Sequence, residues 1–242
     1  MAYEFWFQTY TGKMIDVVDP APSMVSVEDI AHALSMTCRF GGHCRDFYSV
    51  GEHSLLVERL GGRSLRPSNE DQSAISAAYL LKTRLAFLLH DAAEAYLGDI
   101  VTPIKRGLGS SLMGACLHYG SGKLRTDAGN CASIRLEELE RRWLSVIGRR
   151  FGLGDLLTDR NKLVDEADAK ALSCEVVVLM HPVLASWWTR SERPHSEDLA
   201  LVKCISPAEA RREFLARFYD LTDALRKQNG ETGTAWEEKE FS

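Results

Sequence analysis

The 242-residue chain has no CxxC pair, no excess of basic residues and no apolar run long enough to cross a membrane. Each absence removes a class of function. The six cysteines, at positions 38, 44, 116, 131, 174 and 204, mostly stand beside aliphatic residues, so they read as reduced thiols and not as a disulfide framework. A net charge of -5 offers no basic footprint for duplex DNA or RNA, although it leaves room for a local cationic pocket around one anionic small molecule. The opening MAYEFWFQTY lacks the charged and apolar regions of a signal peptide. The expectation is a cytoplasmic protein with no membrane partner. Neither an internal repeat nor a convincing linker divides the chain. One domain over residues 1–242 is therefore expected, with its core at about 26–226.

What is present is ordinary globular material, 45% hydrophobic and 26% charged, and it reads as all-α with a small N-terminal β-hairpin. Phe5 to Tyr10 and Lys13 to Val18 alternate around a Thr11-Gly12 turn. Asp19-Pro20-Ala21-Pro22 breaks the chain, and Ser26 with Asp29 three residues on caps a helix whose apolar face is Ile30, Ala33 and Leu34. A second helix opens near Ser49, and Gly61 to Asn69 is a polar break. Ser73 to Tyr96 reads as one long helix stopped by Gly98. Residues 107–133 have no clean period and read as a loop insertion, either over a site or at an oligomer contact. Ile134 to Phe151, Leu163 to Met180 and a segment from Ser206-Pro207 to Leu225 complete the helices, before a polar tail at 228–242.

The chain is organised around Arg84 to Lys105, RLAFLLHDAAEAYLGDIVTPIK. A helix that buries Leu85, Leu88, Leu89 and Ala92 carries His90 and Asp91 against the interior, where both are costly unless paired or bound to a metal. Residues three and four apart share a helix face, so His90 or Asp91 and Glu94 can enter one pocket. A buried polar pair satisfied by the backbone is the plain alternative. His53, among Leu55, Leu56 and Val57, is open to the same two readings. So is Asp168, which lies between alanines and should turn inward. Cys38, His43 and Cys44 hint at zinc, but their spacing fits no common finger and a fourth ligand is missing. Arg39 and Arg45 suit either surface ion pairs or a bidentate phosphate contact.

VGEHSLLV at 50–57, LLHDAAEAYLGDIVTPIK at 88–105 and EADAKAL at 166–172 together resemble the H…HD…D signature of HD-domain metal-dependent phosphohydrolases. The likeness is greatest to the branch of bacterial 5′-deoxynucleotidases and phage or bacterial deoxynucleotide triphosphohydrolases. This resemblance implies an all-helical HD bundle holding one divalent cation on His53, His90, Asp91 and Asp168. Such a mixed N/O set suits Co²⁺, Mn²⁺, Zn²⁺, Fe²⁺ or Ni²⁺, with Mg²⁺ open to a triphosphate. It further implies catalytic roles for Glu94 and Asp99, and substrate contacts from Lys105 and from Arg39, Phe40 or His43. The Arg-aromatic pair of the family is displaced here by about one residue.

The activity implied is hydrolysis of the P–O5′ bond at the α-phosphate of a deoxynucleotide. A monophosphate gives nucleoside and phosphate, a triphosphate gives nucleoside and tripolyphosphate, and Arg45 or Arg106 could meet the longer tail. A cyclic-nucleotide phosphodiesterase ranks lower, because the remaining histidines form no second HD-like group. A non-catalytic HD binding module ranks lower too. The relatives are oligomers, so a homo-oligomer is expected, with Trp187 and Trp188 as contacts.

Overall fold

A computed structural model describes residues 5–65, 76–105, 136–158, 161–181 and 194–230. The expected loop at 107–133, Arg106, Trp187 and Trp188, and most of the tail lie outside the described residues. Those described form a helical bundle with a two-stranded hairpin: β1 (Trp6–Gln8), β2 (Met14–Asp16), α1 (Val27–Met36), α2 (Val50–Ser64), α3 (Ala77–Leu89), α4 (Glu94–Leu97), α5 (Leu136–Arg150), α6 (Lys162–Leu179), α7 (Ser196–Leu199) and α8 (Pro207–Gln228). Short 3-10 turns cover Pro22–Met24, Arg39–Gly42 and Gly154–Leu157. The hairpin is shorter than its alternation suggests. Its antiparallel register pairs Phe7 with Ile15, and only Ile15 is buried, so one anchored position sustains the pairing.

Helix α2 is the hub. It packs against α1, α3, α6 and α8. Val50 and Leu55 enter one apolar cluster with α1, α3, α5 and α8, while Leu56, Val57 and Leu60 enter a second with α6. The close approach of α2 to α3 needs Gly61, because a Cβ there would stand 2.5 Å from the Phe87 ring. Polar ties cross the same core. Buried Glu58 on α2 accepts from Arg84 of α3 at 2.7 Å and from both Nε and Nη2 of Arg217 on α8, at 2.9 and 2.7 Å. A lone buried carboxylate would be costly, and two guanidiniums offset that cost.

The long helix expected from Ser73 to Tyr96 is not continuous. It starts at Ala77, with Ser76 Oγ accepting from Tyr79 N, and it stops at Leu89. A turn over residues 90–93 precedes α4. Helix α4 is then held by Tyr96, whose ring stacks on Trp143 at 4.1 Å and whose hydroxyl accepts from Ser26 N at 3.4 Å. The Trp143 indole in turn donates to Val17 O at 2.9 Å, tying α5 to the end of the hairpin. On α1 the buried face is Val27, Ile30, Ala31 and Leu34, so Ala31 replaces the expected Ala33. Helix α8 runs three residues beyond the expected Leu225, to Gln228.

Candidate metal centre

His53 is fixed by the way α2 begins. Ser49 Oγ accepts from Glu52 N at 3.0 Å, which caps the helix. The Glu52 carboxylate turns away and accepts from three consecutive backbone amides, Lys203, Cys204 and Ile205, at 2.8, 3.0 and 2.9 Å. Those bonds hold Cys204 in the left-handed region, at φ 55°, offsetting a backbone cost of about 1–2 kcal/mol. The first turn of α2 is thereby clamped between its own cap and the 203–205 segment. His53 projects from it, wholly buried.

His90 and Asp91 reach the same point because α3 breaks. Neighbours on a regular α-helix point about 100° apart, so a continuous helix would send the two side chains in different directions. After Leu89 the backbone bonds tighten to three-residue spacing, with Ala92 N donating to Leu89 O at 3.0 Å and Glu94 N to Asp91 O at 2.9 Å. His90 Nδ1 donates to Phe87 O at 2.9 Å, which satisfies a helix-end carbonyl and aims Nε2 outward. Asp91 Oδ2 then lies 3.2 Å from His90 Nε2.

Three donors, from His53, His90 and Asp91, converge, and Asp168 approaches the group from the His53 side. His53 Nε2 is 3.2 Å from His90 Nε2, 3.5 Å from Asp91 Oδ2 and 3.2 Å from Asp168 Oδ1. His90 Nε2 is 4.0 Å from Asp168 Oδ1. Donors sharing one cation at about 2.1 Å stand about 3.0 Å apart when cis and about 4.2 Å when trans. The three distances among His53, His90 and Asp91 fall inside that interval, as do those from Asp168 to the two imidazoles. The tautomers agree as well. Both Nδ1 atoms are engaged, by Phe87 O and by Glu175 Oε1 at 2.6 Å, so in neutral rings both Nε2 lone pairs face the centre. Two such lone pairs need something positive between them. A proton on His53 Nε2 can serve, and so can a divalent cation. The group His53, His90 and Asp91 is thus able to hold a metal ion, and the residues fit one.

An outer ring orients this group. Glu175, fully buried, accepts from His53 Nδ1 and pairs with Arg39 Nη2 at 3.1 Å, while Arg39 Nη1 stands 3.7 Å from Asp91 Oδ2. Burial opposes the Arg39 charge, yet Glu175 and Asp91 hold the guanidinium firmly protonated. Burial also works against the Glu175 and Asp91 charges. Arg39 and His53 overcome it at Glu175, and the adjacent His90, then His53 and Arg39, overcome it at Asp91, so both carboxyls stay below their usual range. With neutral imidazoles, Asp91, Asp168 and Glu175 against Arg39 leave two negative charges, which a divalent cation would balance.

Next to the cluster is a second acidic set. Glu94 Oε1 accepts from Lys105 Nζ at 3.3 Å, and Lys105 also pairs with Glu140 at 2.8 Å. Glu94 Oε2 is buried with no hydrogen-bond partner. Burial, reinforced by Asp91 and Asp99, pushes the Glu94 carboxyl up to about 9. Asp99 is raised by burial also, against the pull of Arg39. It follows Gly98, whose φ of 79° ends α4 where a side chain would be strained.

These shifts give the metal-free protein a pH signature. Burial and Arg39 lower the His53 pKa, but Glu175 and Asp168 prevail and raise it from 6.5 to about 10. Above pH 6.5 the folded state keeps a proton that the unfolded chain has lost, so stability falls as pH rises through that window. Glu94 acts in the same direction between its ordinary 4.5 and about 9. Thermal melting of chelator-treated protein should therefore drop between pH 6.5 and 9. A flat or rising melting temperature over that range contradicts the assignment.

Of the residues expected from the sequence, His53, His90 and Asp91 meet, Asp168 reaches the group through His53, Arg39 braces them, and Glu94, Asp99 and Lys105 adjoin. Asp168 does turn toward the cluster, but 44% of its side chain is open to solvent, so it stands at the mouth and not in the interior. Phe40 sits beneath the Arg39 guanidinium at 5.4 Å. His43 is exposed at the end of the same turn, and among its described contacts none is with the cluster. Arg45 is exposed. The expected sharing of one helix face by His90 or Asp91 and Glu94 is corrected, since the turn at 90–93 separates them. Glu175, Glu52 and Glu140 escape a sequence reading. The available signal for Glu175 is its place seven residues after Asp168, two helical turns along the same face, between the apolar Cys174 and Val176.

No family model matches the chain. An uncharacterized protein of Rhodobacter capsulatus is 42% identical over 106 residues, 43% of this chain and 48% of that protein, so the chain spans about half the length of this curated relative. The uncharacterized protein YfdR of Escherichia coli K12 is 25% identical over 228 residues, 92% of this chain and 98% of YfdR. The likeness to YfdR thus runs along nearly the whole of both chains, although neither relative's name states an activity.

Proposed function

We propose that the chain is an HD-type phosphohydrolase that cleaves the P–O5′ bond of deoxynucleoside 5′-monophosphates. The observation that carries this reading is the approach of His53 Nε2, His90 Nε2 and Asp91 Oδ2 to within 3.2–3.5 Å of one another, with Asp168 Oδ1 3.2 Å from His53 Nε2, beside a buried acid. A divalent transition ion bound by these four would polarise a phosphoryl oxygen and acidify a bound water. Asp168, open to solvent, leaves the substrate a way in. Glu94 keeps its proton at neutral pH, so it can deliver that proton to the departing 5′ oxygen. Asp99 orients the attacking water. Lys105 holds positive charge beside Glu94, and Arg39 keeps Asp91 and Glu175 in place while its Phe40 neighbour borders the substrate.

The monophosphate is favoured over a triphosphate by charge. A triphosphate tail needs additional cations, whereas Arg39 already faces two carboxylates and Lys105 already faces the Glu140 carboxylate. Chromatography of the products from a dNMP and dNTP panel, with Co²⁺, Mn²⁺, Zn²⁺, Fe²⁺ or Ni²⁺ added, tests the reading. Deoxynucleoside and phosphate from dNMPs is the expected result. Tripolyphosphate from dNTPs would transfer the proposal to the longer substrate, and inert protein with every ion would end it.

A further inference from the structure

Two thiols bracket the turn that carries Arg39 into the cluster. Cys38 precedes Arg39–Gly42 directly, Cys44 follows His43, and their Sγ atoms are 3.7 Å apart. Both are free and partly exposed. The turn between them is left-handed at Phe40, Gly41 and Gly42, with φ of 57°, 60° and 80°. It is fastened at both ends: Arg39 N donates to Tyr48 O at 2.9 Å and Arg45 N to Leu179 O at 3.0 Å. The fold itself therefore holds the two sulfurs together.

A separation of 3.7 Å suits two uses. Thiolates sharing one tetrahedral zinc at about 2.3 Å stand about 3.8 Å apart, and a dithiol poised to close must shorten to about 2.05 Å. Zinc needs further donors. Among the described residues, the group of three or more donors within 4.8 Å of one another is His53, His90 and Asp91, which includes neither cysteine. His43 beside Cys44 is turned to solvent. Closure by contrast needs an approach of about 1.7 Å, within the reach of side-chain rotation.

We propose that Cys38 and Cys44 are a reversible dithiol–disulfide pair, closed by a low-molecular-weight disulfide such as oxidised glutathione. One cysteine attacks a glutathione sulfur and releases the first glutathione. The other attacks the protein sulfur of that mixed disulfide and releases the second. The Sγ–Sγ bond replaces the glutathione S–S bond, two electrons pass to glutathione, and both thiol protons end on the two glutathione thiols. The bond closes a ring over residues 38–44 and locks the turn from which Arg39 reaches Glu175 and Asp91. A reducing compartment keeps the pair open. None of this depends on the hydrolase reading.

Trypsin supplies the test, because it cuts after Arg39, between the two cysteines. The folded full chain is treated with oxidised glutathione, alkylated, digested without reductant and analysed by mass spectrometry. Peptide 40–45 should appear joined to peptide 14–39, two hydrogens lighter than the pair, and should separate with dithiothreitol. Cys38→Ser and Cys44→Ser should each abolish the joined species. Peptide 40–45 recovered alkylated, carrying only glutathione, or joined instead to the Cys204 peptide 204–211 would overturn the proposal.

Discussion

Asp91→Asn is expected to remove tight cation binding while leaving the metal-free fold in place. Asparagine matches aspartate in size, so no cavity opens. What is lost is an anionic donor 3.2 Å from His90 Nε2 and 3.5 Å from His53 Nε2, together with one of the two carboxylates that face Arg39. Arg39 still has Glu175, at 3.1 Å. Loss of an outer-shell partner typically costs about 10–100-fold in metal affinity, and loss of a charged donor should exceed that range. Equilibrium dialysis against Mn²⁺ or Co²⁺ measures it directly, with circular dichroism of chelator-treated protein as the control for folding. An affinity equal to that of the unaltered chain would mean that Asp91 serves only Arg39.

Glu94→Gln should separate rate from binding. A positioned acid contributes about 10²–10⁴-fold, so phosphate release at saturating substrate should fall by that factor while the cation is still bound. The same change should not destabilise the protein. In the native chain Glu94 is a buried carboxyl beside Asp91 and Asp99 with Oε2 unpartnered, an arrangement that costs about 1–3 kcal/mol. Glutamine keeps an acceptor for Lys105 and cannot ionise, so the melting temperature at pH 8 should stay level or rise. Activity lost at unchanged or greater stability marks a residue kept for chemistry. Undiminished turnover would remove Glu94 from the reaction.

The parts of this architecture that were legible in the sequence are those set by local chemistry. Ser26 caps the helix that its spacing to Asp29 suggests, and Ser49 and Ser206 cap the helices expected to open at them. Gly98 ends α4 because only a residue free of a Cβ takes φ 79° without strain. Trp143, Val146 and Ile147 are buried along the face that the helical period assigns them. The break at His90 was not legible. RLAFLLHDAAEAYL contains neither glycine nor proline, and the break that His90 Nδ1 accompanies by bonding the Phe87 carbonyl brings His90 to His53, 37 positions away. The outer ring was hidden for a related reason. Glu175, Glu52 and Glu140 act through partners 122, 151 and 35 positions away in the chain, and such pairings leave no local pattern. Arg39 shows the mixed case: its approach to the site was readable, but its two carboxylate partners were not.

The account depends on a cation seated between His53, His90, Asp91 and Asp168. Titration of Mn²⁺ into chelator-treated protein, followed by the loss of the free-ion electron paramagnetic resonance signal, reads that directly. Uptake of one equivalent per chain is expected, with uptake abolished in His53→Ala and His90→Ala variants that remain folded. Free-ion signal rising from the first addition, or uptake unaltered in both variants, would contradict it.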